Sequence, residues 1–135
     1  MRSKMVRLAA AFAVVIAGGL AWMAPASAAD SFGCTTYGCF YGDGWGSGYG
    51  YWMQDGDVMR VCDTYPDGWS VVIIATINGA NAPYKWHTAG AGTCTDRSYG
   101  NLPEGTTFTY FTCLGKYSIG SIDLDSCGTR VTATA

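Results

Sequence analysis

The side chains that could carry acid–base chemistry are few in this chain. His87 is its single histidine and Glu104 its single glutamate. A nucleophilic serine needs a base beside it, yet no serine stands in the Gly-x-Ser-x-Gly pattern of a nucleophile elbow. A glycosidase needs two carboxyl groups across a sugar-binding cleft, and Glu104 lies in the turn-forming triplet Pro-Glu-Gly. We therefore predict no catalytic residues, with a small extracellular hydrolase as the weaker alternative, and we expect His87 to face solvent.

Metal binding is the next chemistry that the residue types allow. Asp55 and Asp57 flank a glycine, and Asp123 and Asp125 are two residues apart, so each pair could share one face. Calcium takes six to eight oxygen ligands, so several of these carboxylates would have to converge. Turns and strand edges use aspartate for solubility without any metal. No Cys-x-x-Cys pair occurs, which disfavours zinc, and we predict neither a metal nor another cofactor.

The stretch GCFYGDGWGSGYGYW, residues 38–52, holds six glycines and six aromatic residues. Tyrosine and tryptophan offer a flat apolar face and a polar edge, which suits stacking on sugar rings or anchoring a protein partner. The candidate binding residues are Trp45, Tyr49, Tyr51 and Trp52. The alternative is an ordinary strand whose tyrosines point inward while the intervening glycines make room. A disordered tail is disfavoured by the nearby cysteines.

The amino terminus has the features of an export signal. Arg2, Lys4 and Arg7 precede the apolar run Leu8–Ala24, and the small-residue site Ala26-Ser27-Ala28 follows. This order predicts a Sec signal peptide over residues 1–28 with cleavage after Ala28. A membrane anchor is the alternative, but spanning a bilayer takes about 20 apolar residues, and this run has 17 with two glycines inside it. We expect a secreted, extracellular protein that does not contact the membrane after cleavage.

The remaining residues, 29–135, have the length of a single domain. They hold five basic and ten acidic residues, a net charge of −5. Nucleic acid is therefore not an expected partner, because phosphate binding depends on clustered lysine and arginine. We divide the domain into a glycine- and aromatic-rich segment, residues 29–56, and a core, residues 57–135.

Six cysteines lie in the predicted mature chain, an even number that favours three disulfides in an exported protein. Six cysteines allow fifteen pairings, and the sequence does not choose among them. Partners close in sequence need the least rearrangement of a strand meander. Our expected pairs are Cys34 with Cys39, Cys62 with Cys94, and Cys113 with Cys127.

Runs of β-forming residues alternate with turn signals from Asp57 onward. WSVVIIATI, residues 69–77, is nearly continuous apolar sequence, which is typical of a central strand. TTFTYFTCL, residues 106–114, alternates threonine with larger residues, and two closing strands are predicted in YSIGSIDL and TRVTATA, the last at a sheet edge. The pattern predicts an all-β antiparallel sandwich of six to eight short strands, with residues 69–77 and 106–114 at its core.

Residues 57–127 also resemble a mostly uncharacterised group of small exported β-proteins of actinobacteria. The shared features are a Cys-Asp pair ending the first strand, an Asp-Gly turn, and a Glu-Gly step before a strand that carries a cysteine. These features imply an architecture rather than an activity. The chain is also similar in size and class to secreted amylase and protease inhibitors, but it lacks the Trp-Arg-Tyr triplet of the former and the reactive-loop sequence of the latter.

These observations together favour a small secreted protein that acts by binding, as a monomer. We expect it to recognise an extracellular polysaccharide or cell-surface polymer through exposed aromatic residues. The alternative is an inhibitor of a secreted hydrolase, which would present a rigid loop such as residues 89–93 or 101–105. Polysaccharide binding requires coplanar rings along one strand face, whereas a hydrolase inhibitor requires a loop that is held rigid.

Overall fold

The computed structural model describes residues 29–135, so the predicted signal peptide lies outside the described residues. Two antiparallel β-sheets pack face to face, which confirms the all-β sandwich. Ten strands occur within residues 29–135, more than the six to eight expected, because three of them are only two or three residues long. The strands are β1 Ser31–Cys34, β2 Gly48–Met53, β3 Val58–Asp63, β4 Ser70–Ile77, β5 Ala80–Asn81, β6 Lys85–His87, β7 Thr93–Ser98, β8 Thr107–Lys116, β9 Ser121–Asp123 and β10 Val131–Thr134.

The first sheet has four strands in the order β1-β2-β3-β7. The second has the order β10-β8-β4-β5, with β6 also paired to β4 and β9 to β8. The longest ladder joins β4 to β8, from the pair Ser70 and Gly115 to the pair Ile77 and Phe108. These are the two strands with the densest apolar sequence, and β10 lies at a sheet edge as predicted.

The core lies between the inner faces of the two sheets. The four-stranded sheet contributes Trp52, Met59 and Val61, and the six-stranded sheet contributes side chains of β4, β8 and β10. Val71, Val72 and Ile73 are consecutive and all fully buried. Side chains alternate between the two faces of a strand, so this half of β4 is buried on both faces, as its sequence predicted.

Strand β2 packs its glycines, not its tyrosines, against the second sheet. A Cβ atom on Gly50 would lie 2.6 Å from Cδ1 of Ile73, and one on Gly48 would lie 2.5 Å from Cγ2 of Val71. The alternative prediction, an ordinary strand whose tyrosines point inward, was therefore wrong about which side chains face the core. Trp52 has the same parity as the two glycines and fills the core, so Tyr49 and Tyr51 project outward.

The three disulfides join the expected partners. Cys34 pairs with Cys39, Cys62 with Cys94, and Cys113 with Cys127. Cys62 and Cys94 are direct cross-strand neighbours on β3 and β7, so this bridge braces the four-stranded sheet.

The six-stranded sheet contains one tight turn and one segment that is interrupted by 3-10 helices. Asn78 and Gly79 join β4 to β5 with φ of 49° and 80°, the positive values that a tight hairpin turn requires. The segment YSIGSIDL was wrongly predicted as one strand, because 3-10 helices at Tyr117–Ile119 and Leu124–Ser126 flank the three-residue β9. Gly120, with a φ of 63°, ends the first of them in the left-handed region.

Candidate functional site

The outer face of the four-stranded sheet carries four aromatic rings in mutual contact, Phe32, Phe40, Tyr49 and Tyr51, which we call the outer-face cluster. The Phe32 ring is central, with centroids 4.7 Å from Tyr49, 5.9 Å from Phe40 and 6.3 Å from Tyr51. Phe32 and Phe40 are exposed, and the tyrosines are half-buried. Exposed contiguous apolar patches on small proteins commonly mark binding surfaces.

Strand register sets a polar group beside the rings. Phe32 pairs with Tyr51, Tyr51 with Arg60, and Arg60 with Asp96, so the four side chains form one row across the sheet. Arg60 donates two hydrogen bonds to Asp96, of 2.7 and 2.9 Å. The guanidinium holds the pKa of the Asp96 carboxyl below its ordinary value. Tyr51 donates its hydroxyl to Asp30 at 2.7 Å, and this hydrogen bond raises the pKa of the Tyr51 phenol.

The turn that carries Phe40 is held by one carboxylate. Asp43 Oδ2 accepts hydrogen bonds from the backbone amides of Cys39 and Phe40, both at 2.8 Å. These two donors lower the pKa of the Asp43 carboxyl. The Cys34–Cys39 disulfide closes the same turn. Phe40 is therefore positioned by a covalent bridge and by a charge-assisted hydrogen-bond pair.

A groove of about 470 Å³ adjoins the outer-face cluster. Tyr41 and Tyr49 line it together with the Cys62–Cys94 disulfide, Pro66 and the loop that precedes β7. Tyr41 is 69 % exposed and stacks on Tyr65 with centroids 5.6 Å apart. The cluster and the groove share Tyr49, so they form one continuous surface.

The four predicted binding residues do not lie together. Tyr49 and Tyr51 belong to the outer-face cluster, whereas Trp45 is 46 % exposed in a separate group with Tyr37 and Trp69. Trp52 has no exposed surface, so its prediction as a binding residue is wrong. Alternation along β2 turns Trp52 inward, away from its neighbour Tyr51.

Three residues of this surface were not among the sequence candidates: Phe32, Phe40 and Tyr41. Phe40 and Tyr41 lie in the glycine-rich stretch, and their exposure depends on the 3-10 helix Tyr41–Asp43. Phe32 precedes the stretch and reaches it only through pairing of β1 with β2. The only sequence signal for the position of Phe32 was the short run Ser31–Cys34. This run is too short to be identified as a strand unless its partner strand β2 is known.

His87 does not face solvent, contrary to the prediction. It is fully buried, and both of its ring nitrogens have partners. Nδ1 lies 2.7 Å from Oγ1 of Thr95, and Nε2 lies 2.9 Å from Oγ1 of Thr93 and 3.0 Å from the carbonyl oxygen of Gly90. The face of β6 that carries His87 is covered by β7 and the preceding loop.

Asp55 and Asp57 lie in a turn, whereas Asp123 ends β9 and Asp125 lies in the 3-10 helix that follows. The Asp57 carboxylate accepts the backbone amide of Leu102 at 2.6 Å, and the Asp123 carboxylate accepts that of Asp125 at 3.1 Å. Within residues 29–135, no group of three or more histidine, cysteine, aspartate or glutamate side chains is arranged to hold a metal ion. The Asp123 carboxylate caps the 3-10 helix that follows it, and the Asp57 carboxylate holds a loop that is 45 residues away in sequence.

Comparison of the chain with protein-family models, curated proteins and solved structures finds no match. In the described part of the chain, no helix is long and apolar enough to cross a membrane. The three disulfides are compatible with an extracellular protein.

Proposed function

We propose that this protein is a secreted, non-enzymatic binding protein, active as a monomer outside the cell after removal of residues 1–28. Its ligand is an extracellular polysaccharide, bound by the outer-face cluster and the adjoining groove. Export would follow from the predicted signal peptide, and amino-terminal sequencing of the exported protein should begin at Ala29. A chain retained with residues 1–28 attached would contradict the predicted cleavage.

The observation that carries the proposal is the continuity of exposed rings from Tyr51, through Phe32 and Phe40, to the groove at Tyr41 and Tyr49. Sugar rings have apolar C–H faces that pack on aromatic rings and hydroxyl edges that need hydrogen bonds. The tyrosine hydroxyls and the Arg60–Asp96 pair supply polar partners beside the rings. A sheet braced by a cross-strand disulfide supplies a surface that needs little ordering on binding.

The ring orientations indicate which form of polysaccharide fits. Interplanar angles within the outer-face cluster run from 26° between Phe32 and Phe40 to 59° between Phe32 and Tyr51. Coplanar rings, which we expected from the sequence for any polysaccharide surface, are not present in the outer-face cluster. A flat crystalline surface needs such rings. Tilted rings beside a groove suit a single, flexible chain. We therefore expect binding to soluble polysaccharides and oligosaccharides rather than to crystalline cellulose or chitin.

The test compares binding of soluble glucans, xylans and chitin oligosaccharides by affinity electrophoresis and calorimetry with pull-down on their insoluble forms. Tyr49→Ala should weaken binding by about tenfold or more, the loss typical of a central aromatic anchor. Tyr84→Ala is the matched control, because Tyr84 is a comparably large exposed ring just before β6 of the other sheet. Equal losses in the two variants, or no binding to any soluble polymer, would refute the proposal.

An inhibitor of a secreted hydrolase is the second candidate, favoured by the loop between β6 and β7. His87 and Thr93 fix the Gly90 carbonyl, and the amide of Gly92 donates to the carbonyl of Asp63 at 2.8 Å. Cys94 follows directly with its disulfide. A panel of secreted proteases and amylases tests this candidate, and Gly90→Val should abolish any inhibition found. Turnover of a polymer that is lost in His87→Ala or Glu104→Ala would instead indicate an enzyme.

A further inference from the structure

A second cavity, of about 370 Å³, opens at the end of the sandwich. It lies between the segment from Asp63 to Ser70 and the stretch from His87 to Ala91. The Trp69 and Pro66 side chains provide apolar lining, and its volume is within the range of small-molecule sites. It shares Asp63, Pro66 and Ala91 with the groove beside Tyr49, but Trp69, Ser70 and His87 belong to this cavity alone.

Asp63 is the distinctive group in this lining. It follows Met59 and Val61 on the inward-facing side of β3, and it is only 5 % exposed. Its Oδ1 accepts one hydrogen bond, from the backbone amide of Tyr65 at 3.2 Å, and no side-chain or backbone donor in residues 29–135 bonds Oδ2. Burial without a full set of partners raises the pKa of the Asp63 carboxyl.

No cation of the described chain neutralises this carboxylate. The single ion pair within residues 29–135 joins Arg60 to Asp96 on the outer face. Lys116 lies near the rim but is engaged elsewhere, donating to the Gly68 carbonyl at 2.7 Å with its Nζ 4.3 Å from the centroid of the Trp69 ring. A buried carboxylate costs free energy unless a cation or several donors accompany it. Asp63 therefore lines the cavity with one backbone hydrogen-bond partner and without an ion pair within residues 29–135.

The neighbouring carboxylate is accounted for by the fold. Asp67 accepts the backbone amides of Gly46 and Trp69, each at 2.8 Å, and thus holds the segment that forms the cavity wall. Its charge adds to the negative potential at Asp63, whose pKa it helps to raise. A metal ion is not the expected occupant, because within residues 29–135 no three acidic, histidine or cysteine side chains converge to hold one.

We propose that this cavity binds a small organic cation, an alkylammonium group whose charge pairs with the Asp63 carboxylate and whose carbon atoms contact Trp69 and Pro66. The Lys116 ammonium already lies over the Trp69 ring, so the Asp63 carboxylate is the partner of the ligand charge. The apolar wall favours a cation with carbon substituents over a hydrated inorganic ion. This site adjoins the groove of the proposed polysaccharide surface and shares Asp63, Pro66 and Ala91 with it, but cation binding here does not depend on polysaccharide binding.

The test is an NMR titration of the purified, disulfide-bonded protein with n-butylammonium, with 1-butanol as the neutral analogue and butyrate as the anionic one. We expect saturable shifts of the Trp69 indole and of the Ser70 and Gly90 amides with n-butylammonium, at a Kd on the order of 1 mM. Neither analogue should produce them. Because this comparison uses the unaltered protein, it remains decisive whatever the stability of any variant.

The matched variants are Asp63→Asn and Asp55→Asn, which change the net charge equally. Asp63→Asn should weaken n-butylammonium binding by about tenfold or more, as expected for loss of a charge-assisted hydrogen bond. Asp55 is exposed on the turn before β3, and Asp55→Asn should leave the Kd within about twofold. Equal binding of 1-butanol, unchanged binding by Asp63→Asn, shifts confined to Tyr49 and Tyr51, or no saturable shift would each overturn the proposal.

Discussion

The indole of Trp52 stacks on the ring of Phe108, with centroids 4.1 Å apart and planes inclined by 14°. Trp52 also donates its indole N–H to the carbonyl of Thr134 at 3.1 Å. The first residue belongs to the glycine-rich stretch and the second to the long strand β8. Residues 29–56 thus contribute both a sheet edge and a core side chain to the sandwich.

Trp52→Ala should destabilise the protein about as much as Phe108→Ala. Truncation of a buried aromatic side chain costs about 3–5 kcal/mol, a large part of the total stability of a domain this size. Trp45→Ala should cost clearly less, because nearly half of the Trp45 side chain is exposed. Urea unfolding of the three variants measures this order. A Trp45→Ala protein as unstable as the other two would show that Trp45 is part of the core.

Gly50→Ala should destabilise the fold, whereas Gly42→Ala should not. The new Cβ at Gly50 would lie 2.6 Å from Ile73 and 3.1 Å from Thr112, and such overpacking costs about 1–3 kcal/mol. Gly42 has no atom within 4 Å of the same position and no positive φ, so alanine there should be neutral or stabilise by about 0.4–1 kcal/mol. Thermal melting of the pair checks the difference, and equal melting temperatures would contradict the close approach of β2 to β4.

The sequence was sufficient for the features that depend on local pattern. Continuous β-branched residues identified β4 and alternation identified β8, because each feature is determined within a few residues. The disulfide pairs agree with our expectation, although the sequence by itself left fifteen pairings open. The predicted export signal is also a local pattern, but it lies outside the described residues and stays a prediction.

The orientation of β2 could not be obtained in the same way. Glycine and tyrosine alternate over Gly48–Tyr51, and either set satisfies a period of two. The inward side was decided by Trp52 and by the close approach of Ile73, a contact 23 residues away in sequence. His87 was misplaced for a similar reason, since the covering residues Thr93 and Thr95 lie on a strand whose own sequence is polar. Long-range pairing, rather than local preference, decides both positions.

Asp63→Asn should raise stability at neutral pH. Burial raises the pKa of the Asp63 carboxyl, the nearby Asp67 carboxylate raises it further, and the Tyr65 amide and His87 act in the opposite direction. A carboxyl whose pKa is higher in the folded state stabilises the fold when protonated and loses that contribution as pH rises through the raised value. The gain from Asp63→Asn should therefore be complete above the raised pKa and vanish below about pH 4, near the pKa of the unfolded group.

The direction of this pH dependence can be tested by melting temperatures of the unaltered protein and of Asp63→Asn, measured from acidic to neutral pH. The two curves should converge at the acidic end and separate as pH rises, and Asp55→Asn should show no such divergence. A stability gain together with loss of n-butylammonium binding is the pattern expected of a residue retained for binding at the expense of stability. Destabilisation at neutral pH would instead show that Asp63 supports the fold.

Arg60→Met should change the pKa of Asp96 without unfolding the protein. Hydrogen bonding and charge attraction from Arg60 lower the pKa of Asp96, so the pKa should rise toward its ordinary value in this variant. Both side chains are nearly half exposed, and surface ion pairs contribute little to stability, so the melting temperature should change little. Carbon-detected NMR titration measures the carboxyl. Asp43 is the internal control, because backbone amides rather than Arg60 lower its pKa.

Removal of the three disulfides should destabilise the protein in the order of the loops that they close. Cys62 and Cys94 are separated by 32 residues, Cys113 and Cys127 by 14, and Cys34 and Cys39 by 5. The chain-entropy model assigns these loops about 4, 3 and 2 kcal/mol at 25 °C. Replacing both cysteines of one bridge by alanine, pair by pair, and measuring urea unfolding gives the three values.

The same three variants separate stability from binding. The Cys34–Cys39 bridge closes the shortest loop, but this loop carries Phe40 into contact with Phe32 and Tyr49. Its removal should therefore cost the least stability and still weaken polysaccharide binding by several-fold, because Phe40 loses part of its positioning. Removal of the Cys113–Cys127 bridge, which lies on the other sheet, should cost more stability and leave binding by the folded protein unchanged. If removal of the Cys34–Cys39 bridge left binding unchanged and removal of the Cys113–Cys127 bridge weakened it, the binding surface would lie elsewhere than on the outer face.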